Sequence, residues 1–530
     1  MSSSLRSRTL LAAALTSCAL LVPTESQAFC GFYVGGADHS LYANATMVTL
    51  MRDGNRTVLS MQNDYQGPPE GFAMVVPVPV VLHEDEVRTL PRDLFARIDT
   101  LAAPRLVEYW EHDPCAPQVE YMNSMPAMAV TEECESSDSG GSNEDLQVHI
   151  EAQFAVGEYD IVILSAGDST GLETWLHREH YNIPEGAGAA LRPYVEAGTK
   201  FFVARVDPTR VTFENGRAIL SPLRFHYDSP EFWLPVRLGL LSSAGTQDLI
   251  VHILARNQRF EVANYANVTI PTNLRVVDAV RDEFGGFYEY VFRETIAHNP
   301  RTVVTEYAWD AQSCDPCPGP TLTPEDITTL GADVIADHTP YGFTLTRLHY
   351  RYSPEDLNED LVFRTAGPIE GGRGIPDAEG VMAQGASISQ YGGNSFPARE
   401  TSNRFQGRYV ILHPFEGAVT CESPQRGRWG GPPGSYDGSP PSTQGSSNTA
   451  MAGAITSAPM QGEAMLQGPI NWQQGQGTQP STSLGGAVPL APRGGCASCT
   501  ASDARGETLA ALGILSLLGT FALRRRRKSA

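Results

Sequence analysis

Apolar and polar positions alternate along "LYANATMVTLMRDGNRTVLSMQNDY" on both sides of Asp53-Gly54-Asn55, and this period of two, broken by an Asp-Gly pair, predicts a β-hairpin. "GFAMVVPVPVVL" follows as an extended segment. Pro77 and Pro79 cannot donate to a ladder, so it is an edge strand or a buried strand whose prolines face away from a pairing neighbour. In "PRDLFARIDTLAAPRLVEYWEHDPC" the period changes, with Leu94, Ile98 and Leu101 and then Leu106, Val107 and Trp110 at helical spacing, which predicts two short helices separated at Pro104. A second hairpin is expected over "LQVHIEAQFAVGEYDIVIL", turning at Gly157-Glu158. Two helices carry the stripes Leu172, Trp175, Leu176 and Leu191, Tyr194, Val195, before a further run of strands.

A helix is expected over "FGGFYEYVFRETIAHN", a strand over "RTVVTEYAW", a helix start at the Thr-Pro of "TPEDITTLG" and a long strand over "YGFTLTRLHYRYS". The sum is an α+β body, mostly antiparallel, with helices inserted between sheet sections. It is read as residues 29–421, with room for two subdomains. From residue 422 to 495 Gly, Ser, Pro, Gln, Thr and Ala dominate, charges nearly vanish and no apolar period persists, which predicts a disordered linker. A flexible chain of about 70 residues reaches roughly 45 Å.

The two ends alter the picture. Arg6 and Arg8, an apolar run from Leu10 to Val22 and Ser26-Gln27-Ala28 make residues 1–28 a secretory signal peptide with cleavage before Phe29. Leu15-Thr16-Ser17-Cys18 also fits a lipoprotein-type site that would place a lipid on Cys18. At the other end the 16 uncharged residues from Thr508 to Leu523 precede Arg524, Arg525, Arg526, Arg527 and Lys528. As a helix they cover roughly 24 Å, a marginal transmembrane span, and the basic block stays cytoplasmic, leaving the bulk of the chain across the membrane. An ordinary tail anchor fits the same pattern. Cys496 and Cys499, the apolar run and the arginines together resemble the myxobacterial C-terminal sorting signal known as MYXO-CTERM, which implies a sorting protease as a partner and anchoring near one of the two cysteines.

A formal net charge of -22, with its only dense basic block at the extreme terminus, excludes nucleic acid as the expected partner. The chain lacks His-Glu-x-x-His, Walker and dinucleotide signatures. Cleavage after Ala28 leaves six body cysteines, Cys30, Cys115, Cys134, Cys314, Cys317 and Cys421, an even number for an oxidising compartment. Disulfides are the expectation, in any of about fifteen pairings. Cys115 with Cys134 would clip an acidic loop, and Cys30 with Cys421 would tie the ends of the body together.

"SCDPCPGP" is the sharpest local motif. A redox dithiol wants its first cysteine at a helix N-terminus, whereas here prolines follow a strand; a zinc site wants a second Cys-x-x-Cys, which the body lacks; a structural disulfide remains the leading reading. His177 and His180 with Glu173 share one helix face, and His83, Glu84, Asp85 and Glu86 make an acidic turn, but a solvated helix face and a charged turn account for both, and no metal or other cofactor is expected.

"AFCGFYVGGAD", "GFAMVVPVPVVL", "APRLVEYWEHDPC", "LETWL", "YNIPEGAGAALRPYVEAGTKFFVARV" and "EYAWDAQSCDPCPGP" resemble the bacterial family DUF2330, over Phe29 to about His413. The resemblance implies a shared exported scaffold, with CDPC as part of its pattern, and no catalytic residue. The expected protein is a membrane-anchored envelope or cell-surface binding or structural module whose ligand is an envelope polymer or protein. The alternatives are a surface hydrolase or metal-dependent enzyme with an unrecognised site and a thiol oxidoreductase at CDPC.

Overall fold

The computed structural model describes residues 32–34, 43–65, 73–116, 148–179, 187–214, 217–242, 246–315, 317–373, 398–399, 401–433, 465–467 and 470. The chain divides into two units, Met1–Ala487 and Val488–Ala530, and all described residues belong to the first. The signal peptide, Cys18, Cys30, Cys134, His180, Cys496, Cys499, the 508–523 span and Arg524 to Arg527 lie outside them. Among the described residues no helix is long and apolar enough to cross a membrane.

The body is α+β, with mostly antiparallel pairing. The first predicted hairpin forms from strands Ala43–Asp53 and Arg56–Tyr65, with Gly54 at φ 53° in the turn. These strands sit inside an 11-stranded sheet whose centre runs Thr302–Asp310, Phe343–Tyr352, Gln247–Arg256, Ala43–Asp53, Arg56–Tyr65, Leu223–Asp228. Five further strands make a second sheet: Phe32–Val34, Ala73–Val78, Lys200–Val206, Tyr159–Ala166, Val148–Val156. Pro77 lies in a strand paired on both sides, opposite Phe201 of Lys200–Val206, and among the described residues Phe32–Val34 reaches only Ala73 to Val75 of it.

Alternation along the strands sorts side chains into layers. Val76, Ile161 and Phe202 of the five-stranded sheet share one core with Leu50, Leu59, Ile253 and Leu348 of the larger sheet, so the two sheets pack face to face. The far side of the five-stranded sheet, through Val75, Leu164 and Val203, is covered by the helices Ser169–Arg178 and Ala187–Glu196 with the predicted Leu172, Leu176, Leu191 and Tyr194 stripes. The far side of the larger sheet is covered by Arg92–Ala102 through Leu94, Phe95 and Ile98, and by Phe284–His298 through Phe287, Val291 and Phe292. The Thr-Pro helix start is real: Thr323 Oγ1 accepts from the Asp326 amide and the Asp326 carboxylate accepts from the Thr323 amide.

Three expectations are corrected. The segment after Pro104 is a strand, Arg105–Glu111, rather than a second helix, because it pairs in parallel with Arg408–His413 over the register Arg105↔Arg408 to Trp110↔His413. Cys115 pairs with Cys421, across 306 residues, and so with neither of the partners pictured above. The ordered chain also continues beyond Cys421, where Trp429–Gly430 pairs with Trp110 and Glu111, and Arg428 accepts the His112 amide at its carbonyl (2.7 Å). Residues 465–467 return to the body as well, so the stretch read as linker is not uniformly linker.

Candidate functional site

Phe343–Tyr352 has Leu348, Tyr350 and Tyr352 on its inter-sheet face, and therefore Arg347, His349 and Arg351 on the opposite one. An alternating strand with charges on one side reads as half solvated, yet here the helices Arg92–Ala102 and Phe284–His298 lie over that side. Arg347 and His349 are buried, and each finds carboxylates on the surrounding elements.

The result is a chain of seven groups of alternating charge along the seam between the two helices. Asp99, from the first helix, accepts from Arg347 Nη1. Arg347 Nε donates to Glu306 Oε2 on the neighbouring strand at 2.6 Å. Glu306 Oε1 lies 2.7 Å from His349 Nδ1 and also accepts from the Tyr288 hydroxyl of the second helix. His349 Nε2 lies 3.0 Å from Asp248 Oδ1. Asp248 receives both Nε and Nη2 of Arg351 at 2.8 Å, and Arg351 Nη1 reaches Glu289 at 2.9 Å. Phe292 stacks on the His349 ring with centroids 3.9 Å apart.

Both ring nitrogens of His349 face carboxylate oxygens, which only accept, so the geometry requires an imidazolium that donates twice. Burial alone pushes this imidazolium down, but the Glu306 and Asp248 carboxylates outweigh it and raise its pKa. Burial likewise pushes Glu306 up, and His349 and Arg347 reverse the sign, holding it at about 2. Asp248 is held below the ordinary carboxylate range in the same way, against its burial, by His349 and Arg351. Asp99 goes the other way: burial raises it in spite of Arg347, and its Oδ2 has no partner among the described residues. His252 is buried beside Arg347, with Nε2 at 3.3 Å from Nη1, and burial followed by that positive charge keeps it neutral.

This network is sealed by two helices, so its chemistry is to staple both of them to the sheet rather than to meet a substrate. A second charged group is partly open. Glu108 receives Arg281 Nε at 2.8 Å and faces His413 Nε2 at 2.7 Å, while Trp110 stacks on His413 at 4.6 Å. Burial raises Glu108, and Arg281 and His413 overcome it and lower its pKa.

The residues singled out from sequence lie elsewhere. Cys314 and Cys317 are bonded to one another in the loop after Thr302–Asp310, with Cys317 exposed and the Asp315 carbonyl and carboxylate engaged by Gln406 and Arg373. His177 is exposed on its helix and Glu173 lies against Gly188, away from both charged groups. The acidic turn is a short 3-10 turn closed by Glu86, whose carboxylate accepts the His83 amide at 2.8 Å. Among the described residues no group of three His, Cys, Asp or Glu side chains is placed to hold a metal ion.

The family model described as "Uncharacterized protein conserved in bacteria (DUF2330)" matches residues 24–364. The chain belongs to the DUF2330 family. No curated protein and no solved structure matches it. The DUF2330 span contains the whole network from Asp99 to Arg351 and the Cys314–Cys317 pair, whereas Cys421, the Trp429–Gly430 strand and residues 465–467 lie beyond it. The network was legible only in part: Arg347, His349 and Arg351 at every second position are visible in the chain, but their carboxylates come from residues 41 to 248 positions away.

Proposed function

We propose that this DUF2330 protein is an exported, non-enzymatic body, carried at the cell envelope or surface by its C-terminal segment and presenting its own surface to an envelope polymer or protein. The observation that carries this reading is the Cys115–Cys421 bridge, which joins residues 306 apart and is of a kind that persists in oxidising compartments rather than reducing cytosol. The basic and apolar start of the chain, its Cys496 and Cys499 tail and its terminal arginines support the same direction of transport. A sealed ionic interior favours a scaffold over a catalyst, because a catalytic group must reach its substrate. Processing at the tail by a sorting protease belongs to this proposal.

Mass spectrometry of the mature protein from the producing bacterium tests it. The expected product starts at Phe29, carries both bridges and is cut or modified near Cys496 or Cys499. Recovery of the complete 1–530 chain with free thiols in the cytosolic fraction sinks the proposal. Binding of the purified mature protein to fractionated envelope polymers then tests its role as a binding module.

A further inference from the structure

Residues 465–470 lie in the Gly- and Gln-rich stretch, where "EAMLQGPINW" forms a small apolar island. Leu274–Arg275 is the edge strand of a four-stranded sheet, paired on one side in parallel with Arg408–His413 through Leu274↔Tyr409. On its other side the chain just beyond it meets the island. The Val277 amide donates to the Met465 carbonyl at 3.0 Å, the Gln467 amide donates to the Arg275 carbonyl at 2.9 Å, and Val276 faces Leu466 in an antiparallel bridge. Gln467 Nε2 adds a bond to the Val276 carbonyl at 3.3 Å. The side chains reinforce this ladder. Met465 is only 9% exposed, within the core of Val276, Val280 and Phe284, while Leu466 and Ile470 pack against the same core beside Tyr290 and Ile296.

This is the geometry by which an extended peptide adds a strand to an open sheet edge, with backbone bonds for affinity and an apolar anchor for specificity. The peptide here belongs to the chain itself, about 30 residues beyond the last described residue of the body, Pro433, and any flexible chain of that length spans roughly 30 Å. Such a tether supplies an effective concentration in the millimolar range, enough to keep a short strand docked in cis.

We propose that the Leu274–Val277 edge is a peptide-acceptor site, filled in cis by residues 465–467 with Ile470 and able to take the same residues from a second copy of the chain. The second copy is the occupant because its island carries the same Met465 anchor and the same backbone pattern, and a tether of this length permits exchange between neighbouring molecules. Docked in cis, the island also blunts an edge that would otherwise template uncontrolled pairing.

The test uses the full mature chain and a fluorescent peptide spanning residues 460–472, which presents the island as a second copy would. Met465→Asp empties the site by placing a charge where the core accepts a thioether. The peptide is then expected to bind the M465D chain saturably and at least ten-fold more tightly than the wild-type chain, and a peptide carrying the same Asp is expected not to bind. Gln467→Pro provides an independent variant, since Gln467 is exposed and the change removes its amide bond to Arg275 and its side-chain bond to Val276; it is expected to speed hydrogen exchange at the Val277 amide while other core amides keep their protection. Equal binding of the peptide to wild-type and M465D chains, no binding to either, or an unchanged Val277 exchange rate in Q467P overturns the proposal.

Discussion

Arg347 and Glu306 lie on adjacent strands with Nε and Oε2 2.6 Å apart, and both side chains are essentially sealed from solvent at 1% and 0% exposure. Each is the other's counterion in a place where water cannot substitute. Arg347→Met takes the ion-pair partner from Asp99 and leaves Glu306 with His349 and Tyr288 alone, and the expected loss is about 3–5 kcal/mol, read as a lower urea midpoint. Adding Glu306→Gln is expected to recover part of the loss, because the second substitution removes a buried negative charge that Arg347 no longer balances. A double-mutant cycle measures that coupling.

The same network bounds stability in pH. His349 has its pKa raised above the ordinary 6.5, so its charged form contributes stability that is complete below 6.5 and fades as pH rises through the raised value. Glu306 is lowered from 4.5 to about 2, so its contribution is complete above 4.5 and is lost as pH falls toward 2. Urea titrations across pH are expected to show a plateau with both limbs. His349→Gln is expected to lower the plateau and flatten the alkaline limb.

The two disulfides differ in what they constrain. Closing a ring across 306 residues removes far more freedom from the unfolded chain than closing one across three. Replacing Cys115 and Cys421 with Ser is expected to cost up to about 5 kcal/mol, against about 2 kcal/mol or less for Cys314 and Cys317. Thermal melts of the two double mutants check the order. Because Cys317 is exposed, alkylation after graded dithiothreitol treatment is expected to label Cys314 and Cys317 while the body is still folded.

Gly331 sits at φ 144° inside the Thr328–Ala332 turn, and a Cβ there would stand 2.8 Å from Val58 Cγ2 and 3.1 Å from Met51 Sδ. Gly331→Ala therefore meets an unfavourable backbone and an occupied space together. A loss of about 2–4 kcal/mol is expected, measurable as a lowered melting temperature.

Elements whose own residues carry the signal were readable in advance. The Asp-Gly hairpin needs only Gly54 in its turn, the Thr323-Pro324 start needs only its neighbours, and the helix over Phe284–His298 carries its own stripe. Arg105–Glu111 was misread because Leu106, Val107 and Trp110 happen to fall at helical spacing, and the partner that makes it a strand lies three hundred residues away, at Arg408–His413. The charged seam was missed for a related reason. A strand with Arg347, His349 and Arg351 on one side looks solvated until the helices bearing Asp99 and Glu289 are seen to cover it. In the linker, composition averaged over many residues concealed the three apolar side chains Met465, Leu466 and Ile470 that hold a short piece to the body.

The sulfur bridge at Cys421 also settles how tension would travel. A pull from the carboxyl end would first unzip Leu466 from Val276, then peel Trp429–Gly430 from Trp110 and Glu111, and would only then reach a covalent junction at Cys115. From there it continues toward the amino end without passing through the chain enclosed between the two cysteines. The strands and helices between Cys115 and Cys421 thus hang beside the line of force, whereas the hairpin of Ala43–Asp53 and Arg56–Tyr65 and the helix bearing Asp99 stand within it.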